Sequence, residues 1–578
     1  MMRKIFIALV FLIPLASSCK NIIVMNNATS GDYNLLLKVR DPSRQGLQVL
    51  FMVNEGYEYN YHHPWKGYSI PYRINYKLIG VATKGDVPPN IIKAGMLLSN
   101  AGIAYGDADC PTYYINPTKY AWDDFDWLRY AAQSAGNEDV AVEKLKEVVD
   151  MHAVGIGENL FVVGPLKGYV IEADAFHFLK EEVKDIAVMS NYPKKMWNVR
   201  LLKRLQIAPS FDEIFDGNVK KWEVVRLGGI LGVRILKIGD GWISARQIPF
   251  GEKIKIEEGK GAKVGNFYVK LEEANGRTAH IMMCYEYHEW EKKIMEMLFE
   301  KYGKINVMDL MNISRLHEED LEGLRGFCEG NKKAAMIFKI PTKNYDKLSM
   351  GWFAPDQCVS IFVPIHICNR YIYHEYENGK AAELALNLFL QFGHGINFSN
   401  IERVFIKENE KMERLAEMYI QKAGDILTSV DVEMQRQAIM MQKIWLYANE
   451  EEREILLNMW NENYYKTICN IEKNFGRLSE EVKGDVAKIV LSIGKMRVEV
   501  EKAINGSNLN KEYNKAEMLI KNGKYIDGIK IIKNIYEKTD KTLFGVSHER
   551  KGIDKKVILA TIGILSFAII LILVKKKK

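Results

Sequence analysis

At 578 residues, with 48% hydrophobic and 11% aromatic content, the chain is long enough for several units and apolar enough to build packed cores, which excludes a largely disordered protein. Lys and Arg total 80 against 73 Asp and Glu, for a net charge of +7, and this mixed balance excludes a nucleic-acid footprint. No pair among the seven cysteines has C-x-x-C spacing, so the sequence offers no zinc or redox motif.

Arg3 and Lys4 form a short positive region, and residues 5–15 are apolar but too few to span a bilayer. Ala16, Ser17 and Ser18 then supply small residues ahead of Cys19. This pattern predicts a secretory signal peptide over residues 1–18, with Cys19 first in the mature chain. A leading cysteine carries a thiol and a free α-amine on one residue. The amine titrates near pH ~8 and can act as the base that makes the thiolate, the reactive form. Small residues before a cysteine also describe lipid attachment, and the alternative is a non-catalytic surface lipoprotein or binding module with a lipidated Cys19.

The runs NIIVM, YNLLLKV, LQVLFMV and YKLIGVA predict short strands between residues 20 and 82. The stretch 57–72 is an aromatic-rich loop; its adjacent His62 and His63 read as loop surface rather than as metal ligands. AGMLLSNAGIAYGDA places glycines at turn positions, two helices follow over 127–149, and NLFVVG, GYVIEA and DIAVMSNYP are further strands. Residues 220–275 are again strand-like, a helix covers 290–302, and strands follow at 334–339, at 348–353 and in CVSIFVPIHI. Strands around a helix pair predict an α+β layered core. From about 381 to 550 the chain turns to long charged helices without strands, a helical stalk or docking region with room for a protein partner. Residues 557–574 are an uncharged apolar run, about 27 Å long as a helix, which predicts a single C-terminal transmembrane helix. With the signal peptide, that places the protein in the cell membrane, single-pass, with its body extracytoplasmic.

Between Cys19 and about Ile367 the chain resembles the secernin- and dipeptidase-type cysteine peptidases of the Ntn-hydrolase superfamily, and more distantly the penicillin V acylases and bile salt hydrolases. The residues that carry this are Cys19 before a strand, KVRD at 38–41, AGMLLSNAGIAYGDA, GENLFVVGPLKGYVIEAD, VMSNYP and GWFAPDQCVSIFVPIHI. The resemblance implies a four-layer αββα sandwich over 19–380, followed by the all-α region and the membrane helix. It also implies hydrolysis of a linear amide, peptide or N-acyl, with no cofactor, no metal and no nucleic acid. Cys19 matches the nucleophile. Asp41 would orient the α-amine by a charge-assisted hydrogen bond. A cation at Lys38, or at Arg40 in its place, would lower the thiol pKa. Asn191 would donate to the tetrahedral oxyanion. The family's substrate-side asparagine falls on Ser99, with Asn100 one residue late. The acylases' later arginine has no match at Arg200, Arg204 or Arg226.

Overall fold

The computed structural model describes residues 19–40, 46–88, 92–197, 199, 209–329 and 333–546. The expected signal peptide, Asp41 and the apolar run at 557–574 lie outside them.

Two antiparallel sheets form the centre. Sheet I contains β1 (Lys20–Val24) and β2 (Tyr33–Arg40). Sheet II contains β3 (Gln48–Val53), β4 (Leu78–Thr83), β5 (Ala94–Ser99), β6 (Ile103–Cys110), β7 (Gly157–Val163), β8 (Gly168–Ala173) and β9 (Phe178–Val183). Sheet I is completed by β10 (Ile186–Met189), β11 (Ala334–Pro341), β12 (Met350–Ala354) and β13 (Val363–His366). Sheet I runs β10-β1-β2-β11-β12-β13, and sheet II is a meander, β9-β8-β7-β6-β5-β4-β3. In β1–β2, Asn21 stands opposite Lys38 and Ile22 opposite Leu37. β1 and β2 read as nearly unbroken apolar runs because both of their faces are covered, and burial along them is almost complete.

The sheets pack face to face through Leu36, Leu98, Ala104, Ala108 and Phe161. On the outer face of sheet II lie α1 (Asp124–Ala132) and α2 (Glu138–Asp150), whose Trp127, Leu128 and Leu145 cover Leu97, Tyr105 and Leu160. Asp123 and Asp126 form a capping box at the start of α1, and the Asn137 side chain caps α2. On the outer face of sheet I lie α3 (Glu286–Phe299) and α4 (Val307–Ser314). The order helix, sheet, sheet, helix is the αββα arrangement expected above. Between β10 and α3, residues 215–285 form two four-stranded sheets around a separate apolar core that includes Val219, Ile235, Ile243 and Phe267.

The helical region contains α5 (Lys380–Phe392), α6 (Ser399–Met418), α7 (Ala423–Tyr447), α8 (Glu450–Met459), α9 (Tyr464–Asn474), α10 (Glu480–Asn505), α11 (Asn510–Lys521) and α12 (Tyr525–Phe544). These helices share one apolar cluster with sheet I, and α6 and α7 lie directly on β13. A buried polar network fastens them. The backbone N–H and Nδ1 of His366 both meet Asp431 Oδ2, at 2.7 and 2.8 Å. Asn369 donates to the same oxygen at 2.8 Å, and Lys339 donates to Glu413 at 2.6 Å. His366 Nε2 stands 3.4 Å from Glu413 Oε1. These charges hold the His366 imidazole up at about 9 against its burial, and they hold the Glu413 carboxyl down at about 2.

The fold class needs one correction. No helix among the described residues is long and apolar enough to cross a membrane, so what the structure describes is an α+β sandwich followed by helices, with no transmembrane element among the described residues. That expectation rested on the apolar run at 557–574, whereas the described helices bury their apolar residues against neighbouring elements of the fold.

Candidate active site

Cys19 stands at the entry to β1, half-buried and packed against the core between the sheets. The β1–β2 pairing, with Lys20 opposite Val39, sets it beside the Arg40 end of β2. Its carbonyl oxygen accepts a hydrogen bond from Ser190 Oγ at 2.5 Å, so the turn after β10 holds the start of β1.

Lys38 is fully buried and points between the sheets. Its ammonium donates to the Asp107 carbonyl oxygen and to Asp107 Oδ1, and it also hydrogen-bonds the Cys19 thiol. These anions raise the lysine pKa despite burial, so Lys38 stays charged. Burial pushes the Cys19 thiol up, Lys38 pulls it down, and Asp107 and Asp109 push it up again. The balance leaves the thiol above its ordinary value, with Lys38 the neighbour that opposes the rise. Asp107 has room because β5 carries Gly95 beside it; a Cβ there would lie 2.7 Å from Asp107 Oδ2.

Arg40 takes a different position. Its Nη1 donates to Gln48 Oε1 at 2.6 Å, and its guanidinium lies 4.7 Å from the centre of the Phe125 ring. It faces Asp109 and Asp124 and lowers both, although burial raises each of those carboxyls more. Asp109, Asp124 and Glu158 present oxygens within 4.8 Å of one another. Glu158 stands opposite Asp109 in the β6–β7 pair, and the two hydrogen-bond. Burial first, and repulsion from neighbouring carboxylates second, hold Glu158 and Asp124 well above the usual carboxyl range. The raised carboxyls favour their protonated forms, and Asp109 is one of the charges that act on the Cys19 thiol. A cavity of about 200 Å³ is lined by Gln48, Lys333 and Asp356 among others and does not include Cys19.

Asn191 lies in the turn after β10, and its Nδ2 donates to the Asp109 carbonyl oxygen at 2.6 Å. The buried Asn159 fixes that turn by donating to the carbonyl oxygens of Ser190 and Tyr192, at 2.7 and 2.8 Å. Glu172 fixes the next residues by accepting from the backbone N–H groups of Lys194, Lys195 and Met196, at 3.1, 3.0 and 3.0 Å.

The structure therefore brings Cys19, Lys38, Arg40 and Asn191 to one end of the sandwich. Ser99 and Asn100 are elsewhere. Ser99 pairs with Ile103 at the opposite end of β6, about 20 Å along the strand from Asp109 at ~3.3 Å per residue. The family-like segment around them forms the β5–β6 strand pair, with these two residues at its turn. Asp41 lies outside the described residues. Sequence reading missed Asn21, Asp107, Asp109, Glu158, Asn159 and Ser190. The available signal was polar residues inside otherwise apolar strands, as in KNIIV, GDADC and GENLF, where each polar group must find a partner or a purpose.

No family model and no curated protein sequence matches the chain. Among solved structures, two variants of conjugated bile acid hydrolase from Clostridium perfringens are similar at 9% and 10% identity. Each match covers 60% of this chain and 92% of that one, with a TM-score of 0.32. Penicillin V acylase from Agrobacterium tumefaciens is similar at 13% identity over 32% of this chain and 55% of that one, with a TM-score of 0.23. An N-acylethanolamine-hydrolyzing acid amidase ortholog from Caenorhabditis elegans is similar at 10% identity over 32% of this chain and 77% of that one, with a TM-score of 0.21. At these values the likenesses carry no chemistry across, and the function is argued from the site.

Proposed function

We propose that the protein is an exported amidohydrolase that cleaves a linear amide, in a peptide or an N-acyl compound, through Cys19 as its N-terminal residue. The observation that carries this reading is the placement of the Cys19 thiol at the entry of an inner strand, hydrogen-bonded to a buried, permanently charged Lys38 that Asp107 holds in place. A structural thiol needs no buried cation, because a neutral thiol gains nothing from one; a thiolate does.

Removal of residues 1–18 frees the α-amine of Cys19. The amine takes the thiol proton, and the thiolate attacks the amide carbonyl carbon. The oxyanion so formed is met by the Asn191 amide, which has two N–H donors and spends one on the Asp109 carbonyl oxygen. The α-ammonium then protonates the departing amine, leaving a thioester on Cys19. Water, deprotonated by the same amine, hydrolyses the thioester. Lys38 stabilises the thiolate before attack and again when it leaves.

The test is a panel of small dipeptides and N-acyl amides assayed with the purified chain, its Cys19→Ala variant, and N-terminal sequencing of both. Turnover of an amide by a chain beginning at Cys19, lost in Cys19→Ala, supports the reading. A lipid on Cys19, or a mature start elsewhere with amide turnover intact, contradicts it.

A further inference from the structure

A second constellation lies in the described structure away from Cys19. His317, Cys328, Cys358 and His394 bring one ligand atom each to within 4.8 Å of one another. They come from three separate segments. His317 follows α4, Cys328 lies further along the same loop, Cys358 follows β12, and His394 occupies the turn between α5 and α6. We propose that these four residues form a tetrahedral site for a zinc ion, which clasps the α5–α6 turn to sheet I.

Two sulfurs and two imidazole nitrogens are a donor set that zinc takes in closed structural sites, with ligand atoms at the corners of a tetrahedron of edge about 3.3–3.8 Å. His317 Nε2 and Cys358 Sγ stand 3.1 Å apart, and the His317 and His394 rings have centroids 4.1 Å apart. Tautomer and orientation suit the role. His317 Nδ1 lies 3.0 Å from the Cys328 carbonyl oxygen, which holds the proton on Nδ1 and leaves the Nε2 lone pair for a metal.

The surroundings brace the loops. Asp356 Oδ1 accepts from the Cys358 N–H at 3.1 Å, and Arg315 donates to the Gln357 carbonyl oxygen at 2.6 Å while gripping Glu402 of α6 with both terminal nitrogens. Gly326 lets the Cys328 segment lie against His317; a Cβ there would meet the Leu316 carbonyl oxygen at 2.7 Å. His394 is exposed, which gives the ion a path in.

The two sulfurs are joined as a disulfide in the structure, with Cα atoms 7.0 Å apart, slightly beyond the usual disulfide span of about 4.4–6.8 Å. Disulfide and zinc site are alternative closures of the same four residues. Two equivalents of a small thiol convert the disulfide to two cysteine thiols and are themselves oxidised to one disulfide. Zinc then displaces both thiol protons and binds the two thiolates. Sequence spacing did not point here, because no two of the four ligands lie in a short motif; folding alone gathers them.

The experiment uses the full chain, reduced with a thiol and freed of metal by a chelator, then titrated with zinc alone and, separately, with cobalt(II). Expected are one zinc per chain, a cobalt spectrum with the thiolate charge-transfer and intense d–d bands of a tetrahedral sulfur-containing site, and zinc affinity weaker by about tenfold or more in His394→Ala. His394 is exposed, so that variant should fold, and Cys358→Ser serves as a second check through a charge-transfer band weakened to about half by the loss of one of the two thiolates. Zinc bound equally by the parent chain and both variants would overturn the proposal, as would no zinc bound by a chain whose two thiols are shown by alkylation to be free. Amide hydrolysis is not the readout, so the outcome is separable from that of the Cys19 reading.

Discussion

At the Cys19 end of the sandwich, Lys38 and Asp107 pair between the sheets. Around them Asn21 Oδ1, Asp107 Oδ2 and Asn159 Oδ1 are buried with no hydrogen-bond partner among the described residues. At β13, by contrast, Asp431 receives His366 twice and Asn369 once, and Glu413 receives Lys339 and faces the second nitrogen of His366. Both clusters are buried and charged, yet the first is open, with a carboxylate oxygen among its orphans, and the second is closed for its charged groups, only the neutral Asn369 Oδ1 lacking a partner among the described residues. A network whose purpose is to hold helices on a sheet satisfies its charges, since each unmet one costs about 1–3 kcal/mol or more. A site that must meet a substrate keeps spare donors and acceptors and shifted pKa values. On the proposed function, the two regions separate chemistry from cohesion within one fold.

The sharpest way to break this comparison is to remove the thiol. Cys19→Ala should reduce amide turnover to below about a thousandth of the parent value, with the unfolding midpoint little changed, because the residue is only half-buried. Lys38→Met comes next. Without the ammonium, burial and the two aspartates act on the thiol unopposed, so the pH profile of Cys19 alkylation should move to higher pH by about a unit or more. If the profile does not move, the lysine serves packing and the open cluster is not organised around a thiolate.

The closed cluster should answer in stability. His366→Ala leaves Asp431 without its main counter-charge and should cost about 3–5 kcal/mol in unfolding free energy, with turnover per folded molecule unchanged. The pH dependence has a defined sign. His366 titrates at about 9 in the fold against an ordinary 6.5, so its contribution is complete below pH 6.5 and disappears as pH rises through 9. The melting temperature should therefore fall between pH 6.5 and 9, and His366→Gln should flatten that part of the curve. The smallest effect belongs to Ser99→Ala at the distant β5–β6 turn, which should change turnover by less than about twofold. A large loss there would return this turn to the substrate site.

The layered core was legible because the inner strands are apolar on both faces and the helix pair over 127–149 is amphipathic; the short motifs singled out Cys19, Lys38 and Asn191, which the fold gathers at one end of the sandwich. The acidic cluster was not. Asp109 and Glu158 lie far apart in the chain and meet only through the β6–β7 register, which no local pattern encodes. Nor was the fastening of the helices legible, since His366 and Asp431 read separately as an apolar strand end and a charged helix position. Ser99 lies far from Cys19 for a related reason: a matched string located a strand pair but not which of its ends faces Cys19.

The most direct measurement is the intact and peptide-level mass of the mature chain, trapped during turnover of a slowly hydrolysed amide or ester. The account predicts an N-terminal peptide that begins at Cys19 and carries one acyl group, lost on incubation and absent from Cys19→Ala. An acyl group on another residue, or steady turnover by a chain whose Cys19 is blocked by alkylation, would contradict it.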